Sequence, residues 1–193
     1  MPSVNIDDQG AAYAMMSKVL ASGHRRIAII GLSEVSYEKH APESIQRARL
    51  SGYLKALKAY DLDFSSPTIG LYTSETTMDE GRQMANILLE KQVRPTCVVS
   101  MSDIVAIGCI LQFTERGIAV PEEISVVGFD NIMESSYILP TLTTIDQPAS
   151  EKGRKAAEML FEMIRGKNPS HLHVTIPFRL IERESLSSVV QPE

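Results

Sequence analysis

Four apolar runs in this sequence end on small or polar residues able to make hydrogen bonds. "ISVVGF" ends at Asp130 and Asn131, "TCVVSM" at Ser102 and Asp103, "TIGLY" at Thr73, Ser74 and Glu75, and "RIAII" at Gly31 and a polar loop. Arg47 and Arg49 lie in the first turns of the helical segment after that loop. A carboxylate and a guanidinium on one rim can each make two hydrogen bonds to neighbouring hydroxyls or to a carboxylate. That is the chemistry of recognition. Bond-making would need a nucleophile, a base and oxyanion donors together, and no such set is assembled here.

Other chemistries fall away on inspection. No G-x-G-x-x-G follows a strand and no Walker A motif is present; "GLS" and "GFD" are not the G-x-S-x-G elbow. His171 and His173 stand two apart in an extended segment, on one side of it, without further ligands nearby, so no metal site is expected. His24 follows Gly23 and reads as a structural residue at a helix–strand corner. Cys97 and Cys109 lie in apolar segments and read as buried thiols. Asp103 reads most simply as the N-cap of its helix, with Ser102 able to share the role. Arg47 reads as a solvated helix residue or a rim residue. Asp130 reads either as the cap of a turn with Asn131 or as a ligand contact.

The elements that must position these residues alternate. "SVNI" is a short strand; Asp7 or Asp8 caps a helix over 9–22, with Ala12, Met16, Val19 and Leu20 on one stripe and Gly23 as its stop. Strand then helix follow as "RIAIIG" and 44–60, "TIGLYT" and 76–92, "TCVVSMS" and 103–117, then the strand "ISVVGFD". Strands apolar on both faces and separated by helices predict an α/β fold: a Rossmann-like parallel sheet with helices on both faces. Ligands bind such sheets outside the carboxyl ends of the strands. After Pro140 the rhythm changes to an extended "LTTI", a helix over 150–166 and a single longer strand, "LHVTIPFRLI". The 193 residues are 44% hydrophobic, enough to build a core, and the net charge of −5 argues against this chain gripping a phosphate backbone. The acidic start "MPSVNIDDQG" has no signal-peptide core, and no apolar run reaches the ~20 residues of a membrane span.

Five stretches in order, "GHRRIAIIG", "RARLSGYLKAL", "PEEISVVGFDN", "PTLTTIDQP" and "RLIERES", together resemble the lac-repressor/galactose-repressor family of bacterial transcription regulators. The resemblance implies an effector domain like periplasmic sugar-binding proteins, two Rossmann-like lobes with a small molecule in the cleft between them. It implies residues 1–136 and 172–188 as the C-terminal lobe. Residues 137–171 become the crossover and a remnant of the N-terminal lobe, and the DNA-binding headpiece is absent. Arg49, Ser102, Asp130 and Gln147 fall where the family contacts its effector; Ser102 stands where the family often has Asn, and Thr76 or Thr77 near its stacking aromatic.

The function so implied is the effector-sensing and dimerising portion of a bacterial transcription regulator, binding a sugar or sugar derivative. The alternative is a solute-binding protein of a sugar transporter. The reading carries no enzyme activity, no cofactor and no membrane partner. It expects a cytoplasmic homodimer or higher oligomer, formed through the helix over 77–92 and the loop around Ile138, that reaches operator DNA only through the headpiece.

Overall fold

The structure, a computed structural model, describes residues 2–32, 44–166 and 172–189. Its centre is a four-stranded parallel sheet in the order β3-β2-β4-β5, formed by β2 (Ile27–Leu32), β3 (Ile69–Thr73), β4 (Cys97–Ser100) and β5 (Ser125–Val127). β2 is buried at every position because both its edges and both its faces are covered. Side chains along it alternate between two cores, as the two-residue period of a strand requires. Ile27 and Ile29 pack with α1 (Asp8–Ala21) and α2 (Ile45–Lys58), whereas Ala28 and Ile30 pack with α3 (Met78–Leu89) and α4 (Asp103–Glu115). Gly81 and Gly108 bring α3 and α4 so close that a Cβ on either would strike backbone of the other helix.

Each helix start has a local cause. Asp7 caps α1 by accepting the Gly10 N–H at 2.9 Å, Ser44 caps α2 from Arg47 N–H, and Thr77 caps α3 from Glu80 N–H. α4 lacks such a side-chain cap, as does the later helix Ala149–Ile164. Its N-cap is Ser102, whose hydroxyl makes no capping bond, and the Asp103 carboxylate does not cap the helix either. The expectation for Asp103 is therefore corrected: it reaches away from its own helix, to Thr144 and Ile132.

Beyond β5 the chain runs alongside its own later segment. Gly128 N–H donates to Thr143 O and Asp130 N–H to Ile145 O, both at 2.9 Å, which lays the crossover strand β6 (Thr144–Asp146) against the end of β5. The expected long strand after 172 is instead two: β7 (His173–Thr175), which pairs parallel with β1 (Ser3–Asn5), and β8 (Arg179–Ile181), antiparallel to β6. Pro177 lies between them and has no N–H to give to a ladder. The β1–β7 pair and α5 (Ala149–Ile164), which packs on β1, form a small unit apart from the main sheet. Val4 and Val174 of this pair also pack against the core that contains Ile27 and Ile29.

His24 occupies the corner before β2 as expected, bonding Thr96 Oγ1 at 2.9 Å and Ser187 O at 3.0 Å, and burial lowers its pKa. Both cysteines are free and buried, and burial pushes the Cys109 thiol up to about 12. His171 lies outside the described residues; His173 Nδ1 meets Ser3 Oγ at 3.0 Å.

Candidate functional site

The strand order places a topological switch point between β2 and β4. From β2 the chain moves to β3 on one side, then crosses to β4 on the other. The helices leaving two such strands diverge and open a crevice at their carboxyl ends. Gly31 closes β2 there at φ +93, and a Cβ on it would lie 3.3 Å from Met101 N, so only glycine allows this approach of β2 to the end of β4.

Arg49, one turn into α2, enters that crevice nearly buried. Its Nε donates to Asp8 Oδ1 at 2.9 Å and its Nη1 to Met101 O at 2.6 Å, and its Nη2 stands 3.7 Å from Asp130 Oδ1. The guanidinium lies over the Phe129 ring, 3.6 Å from the centroid, a cation–π contact in a desolvated position. Asp7 already caps α1, which leaves Asp8 to meet Arg49. The doubled aspartate was the sequence signal for this, and the capping assignment alone could not say which carboxylate was free.

Asp130 sits where β5 gives out. Its φ is +127 and that of Asn131 is +54, two consecutive non-glycine residues in left-handed space. Such conformations cost of order 1–3 kcal/mol each and persist only where the surroundings over-determine them. Gln147 Nε2 donates to Asp130 Oδ1, and Lys152 Nζ donates to Gln147 Oε1 at 3.0 Å. Burial raises the Asp130 pKa, while Arg49 and the Gln147 amide hold it back. The carboxylate is thus partly exposed, partly desolvated and fixed in direction, which suits a hydrogen-bond acceptor for ligand hydroxyls.

Of the four candidate contacts, the structure brings Arg49, Asp130 and Gln147 into one connected group. Ser102 stands next along the chain from Met101, whose carbonyl Arg49 holds. It is 6% exposed, and its Oγ is buried without a hydrogen-bond partner, an orphan hydroxyl at the strand end. A cavity of about 600 Å³ opens beside the ends of β2 and β3, lined by Leu32, Gln46, Thr73, Ser74, Glu75, Thr76 and Glu80. Thr76 is among its lining residues, whereas Thr77 caps α3.

Sequence reasoning missed Asp8, Phe129 and the role of Asp103. Burial pushes Asp103 up to about 6, against the opposing bonds from Thr144 Oγ1 and Ile132 N–H. Among the described residues no cluster of three or more His, Cys, Asp or Glu could hold a metal ion, and no helix is long and apolar enough to cross a membrane.

The fold is that of a periplasmic binding protein-like domain of the kind found in LacI-family regulators. The chain belongs to the periplasmic binding protein-like domain family, which it matches over residues 17–186. It is 32% identical over 186 residues to the HTH-type transcriptional repressor CytR of Escherichia coli K12 and 33% identical over 191 residues to the HTH-type transcriptional regulator MalR of Clostridium butyricum. These matches cover 95% and 97% of this chain and 50% and 53% of those proteins. The chain therefore spans about half the length of the curated relatives it matches. Among solved structures, it superposes on a LacI family regulator from Enterococcus faecium with bound ribose at a TM-score of 0.88 and 28% identity, over 98% of this chain and 66% of that one. A LacI-type regulator from Bifidobacterium animalis subsp. lactis gives 0.86 and 32%, over 96% and 67%.

Proposed function

We propose that this chain is the effector-sensing and dimerising portion of a bacterial transcription regulator, acting in the cytoplasm as a binding module and not as an enzyme. The observation that carries the reading is the rim at the switch point. There a carboxylate, Asp130, is held in left-handed space against Arg49 and Gln147 beside an orphan Ser102 hydroxyl. Asp130 and Arg49 are the strongest effector contacts, with Gln147 and Ser102 beside them. The effector is a small polyhydroxylated molecule, a sugar or sugar derivative. The ribose in the Enterococcus faecium neighbour and the repressor names of the relatives favour this over a transporter's solute-binding protein.

Operator DNA is reached only through a headpiece outside this chain, since the chain itself is acidic, with 24 Asp+Glu against 19 Lys+Arg. The loop from Met133 to Leu139 leaves Met133, Tyr137 and Leu139 at least 70% exposed, an apolar patch suited to dimerisation together with α3. Effector binding controls the headpiece only through unequal affinity for two lobe arrangements.

A thermal-shift screen of sugars, sugar phosphates and purines on the full-length regulator, starting from D-ribose, finds the effector. Calorimetry on Asp130→Ala and Arg49→Ala then shows each losing about 1.5–3 kcal/mol of binding. Unchanged affinity in both variants would sink the site assignment.

A further inference from the structure

The mechanism as described uses Asp130 but leaves open what keeps its turn in so unfavourable a backbone. Two side chains from distant parts of the sequence converge on the three residues concerned. Asp103, fully buried at the start of α4, accepts the Ile132 N–H through Oδ2 at 3.0 Å and the Thr144 hydroxyl through Oδ1 at 2.6 Å. Thr144 Oγ1 in turn accepts the Asn131 N–H at 3.4 Å. Arg183, half-buried just after β8, donates through Nη2 to Asn131 Oδ1 at 2.7 Å. Its Nη1 donates to Leu142 O at 2.7 Å and to Ser135 Oγ at 3.1 Å, and its own N–H is held by Thr143 Oγ1 at 2.9 Å.

We propose that Asp103 and Arg183 are positioning residues that grip the Asp130–Ile132 turn. In doing so they fix both the rim carboxylate before it and the exposed loop after it. Their bonds reach the Ile132 amide and the Asn131 side chain directly and the Asn131 amide through Thr144, and tie these to the crossover at Leu142 and, through Ser135, to the 3-10 helix Met133–Ser136. Asp and Asn tolerate left-handed space better than other side chains, and the Asp130 N–H is held by Ile145 O, but the Ile132 amide and the Asn131 side chain have these two residues as partners. Arg183 suits the task because its rigid planar fork holds Nη1 on Leu142 O and Ser135 Oγ while Nη2 meets Asn131 Oδ1, a spread of fixed directions that a single ammonium does not reproduce. Asp103 suits it because an ionised carboxylate is acceptor-only and its two oxygens take the Ile132 N–H and the Thr144 hydroxyl at once. The consequence for sensing rests on the reading of Asp130 as an effector contact; the positioning itself does not.

The test follows Asp130 directly, by carboxyl-carbon NMR titration of the whole chain, without any ligand. The charged and titratable groups around that carboxyl are Arg49, Asp8, Lys152, Asp103 and the Tyr53 phenol. Arg183→Lys keeps its own charge and removes the fork. Released from the turn, Asp130 moves toward solvent and its raised titration point falls toward the ordinary carboxylate value. Loss of bulk stability alone, with the turn intact, does not move it. Asp103→Asn also removes a neighbouring charge, so it is read by hydrogen exchange: the amides of Asn131 and Ile132 exchange at least about tenfold faster, while β2 and β4 keep their protection. An unmoved Asp130 titration in Arg183→Lys, or unchanged exchange at both amides in Asp103→Asn, overturns the proposal. If Asp130→Ala keeps its effector affinity while these two results hold, the clamp stands and the effector reading falls.

Discussion

α4 and α5 show what separates the two parts of this molecule. α4 has 13 residues and buries eight of them, from Asp103 through Phe113, because β4, β5 and α3 close around it. α5 has 16 residues and buries only Met159, although Leu160, Phe161, Met163 and Ile164 give it as clear an apolar side. The difference lies in the neighbours. β1 and β7 offer α5 a two-stranded sheet, and the groove between α5 and β1, about 280 Å³ and lined by Val4, Ala156, Met159, Leu160 and Met163 among others, stays open. An amphipathic pattern thus specifies a helix and the side it will bury, whereas burial itself depends on what else is present. The larger unit is a finished core; the smaller one leaves an apolar helix side exposed.

Truncation mutants test that contrast most strongly. Phe113→Ala in α4 removes a fully buried ring and destabilises the chain by about 3–5 kcal/mol in chemical denaturation. A much smaller loss would mean that the main core is looser than its burial indicates.

Next in size is a pH effect confined to the larger unit's rim. Burial puts Asp103 at about 6, above its ordinary value of 3.8. The folded state therefore holds this proton more tightly than the unfolded chain does. Asp103's contribution to stability is full below the unfolded value and is lost as the pH rises to about 6. Relative to Asp103→Asn, the wild type gains up to about 3 kcal/mol on going from pH 7 to pH 4. Parallel melts of the two proteins across that range check it; identical pH profiles would show that Asp103 is not desolvated as described.

The smallest effect belongs to the open side. Phe161→Ala, at a ring 61% exposed, changes the stability of the dilute chain by no more than about 0.5 kcal/mol and reduces self-association measured by light scattering at tens of micromolar. A loss approaching that of Phe113→Ala would erase the contrast, because the ring would then have to be covered within a single chain.

Much of this was legible from residue order. The alternation of "RIAIIG", "TIGLYT" and "TCVVSMS" with amphipathic segments determined a parallel sheet between helix layers, because strands apolar on both faces have no other stable setting. The polar residues at the ends of those strands marked the rim at the switch point, and "GFDN" marked Asp130, which the structure places against Arg49 there. Other features needed the tertiary structure. Asp103 sits where a capping residue belongs, and only the arrival of the crossover strand with Thr144, 41 positions later, gives its carboxylate a better partner. Asp8 joins the rim only when α2 delivers Arg49 to it. "LHVTIPFRLI" reads as one strand, yet it divides at Pro177 between two sheets, a choice made by the edges of β1 and β6. Local propensity and hydrophobic period are properties of neighbouring residues, so sequence alone fixes the elements and the sides they bury. Which donor meets which carboxylate across 40 or more residues depends on how the layers stack, and that is decided only when the chain closes on itself.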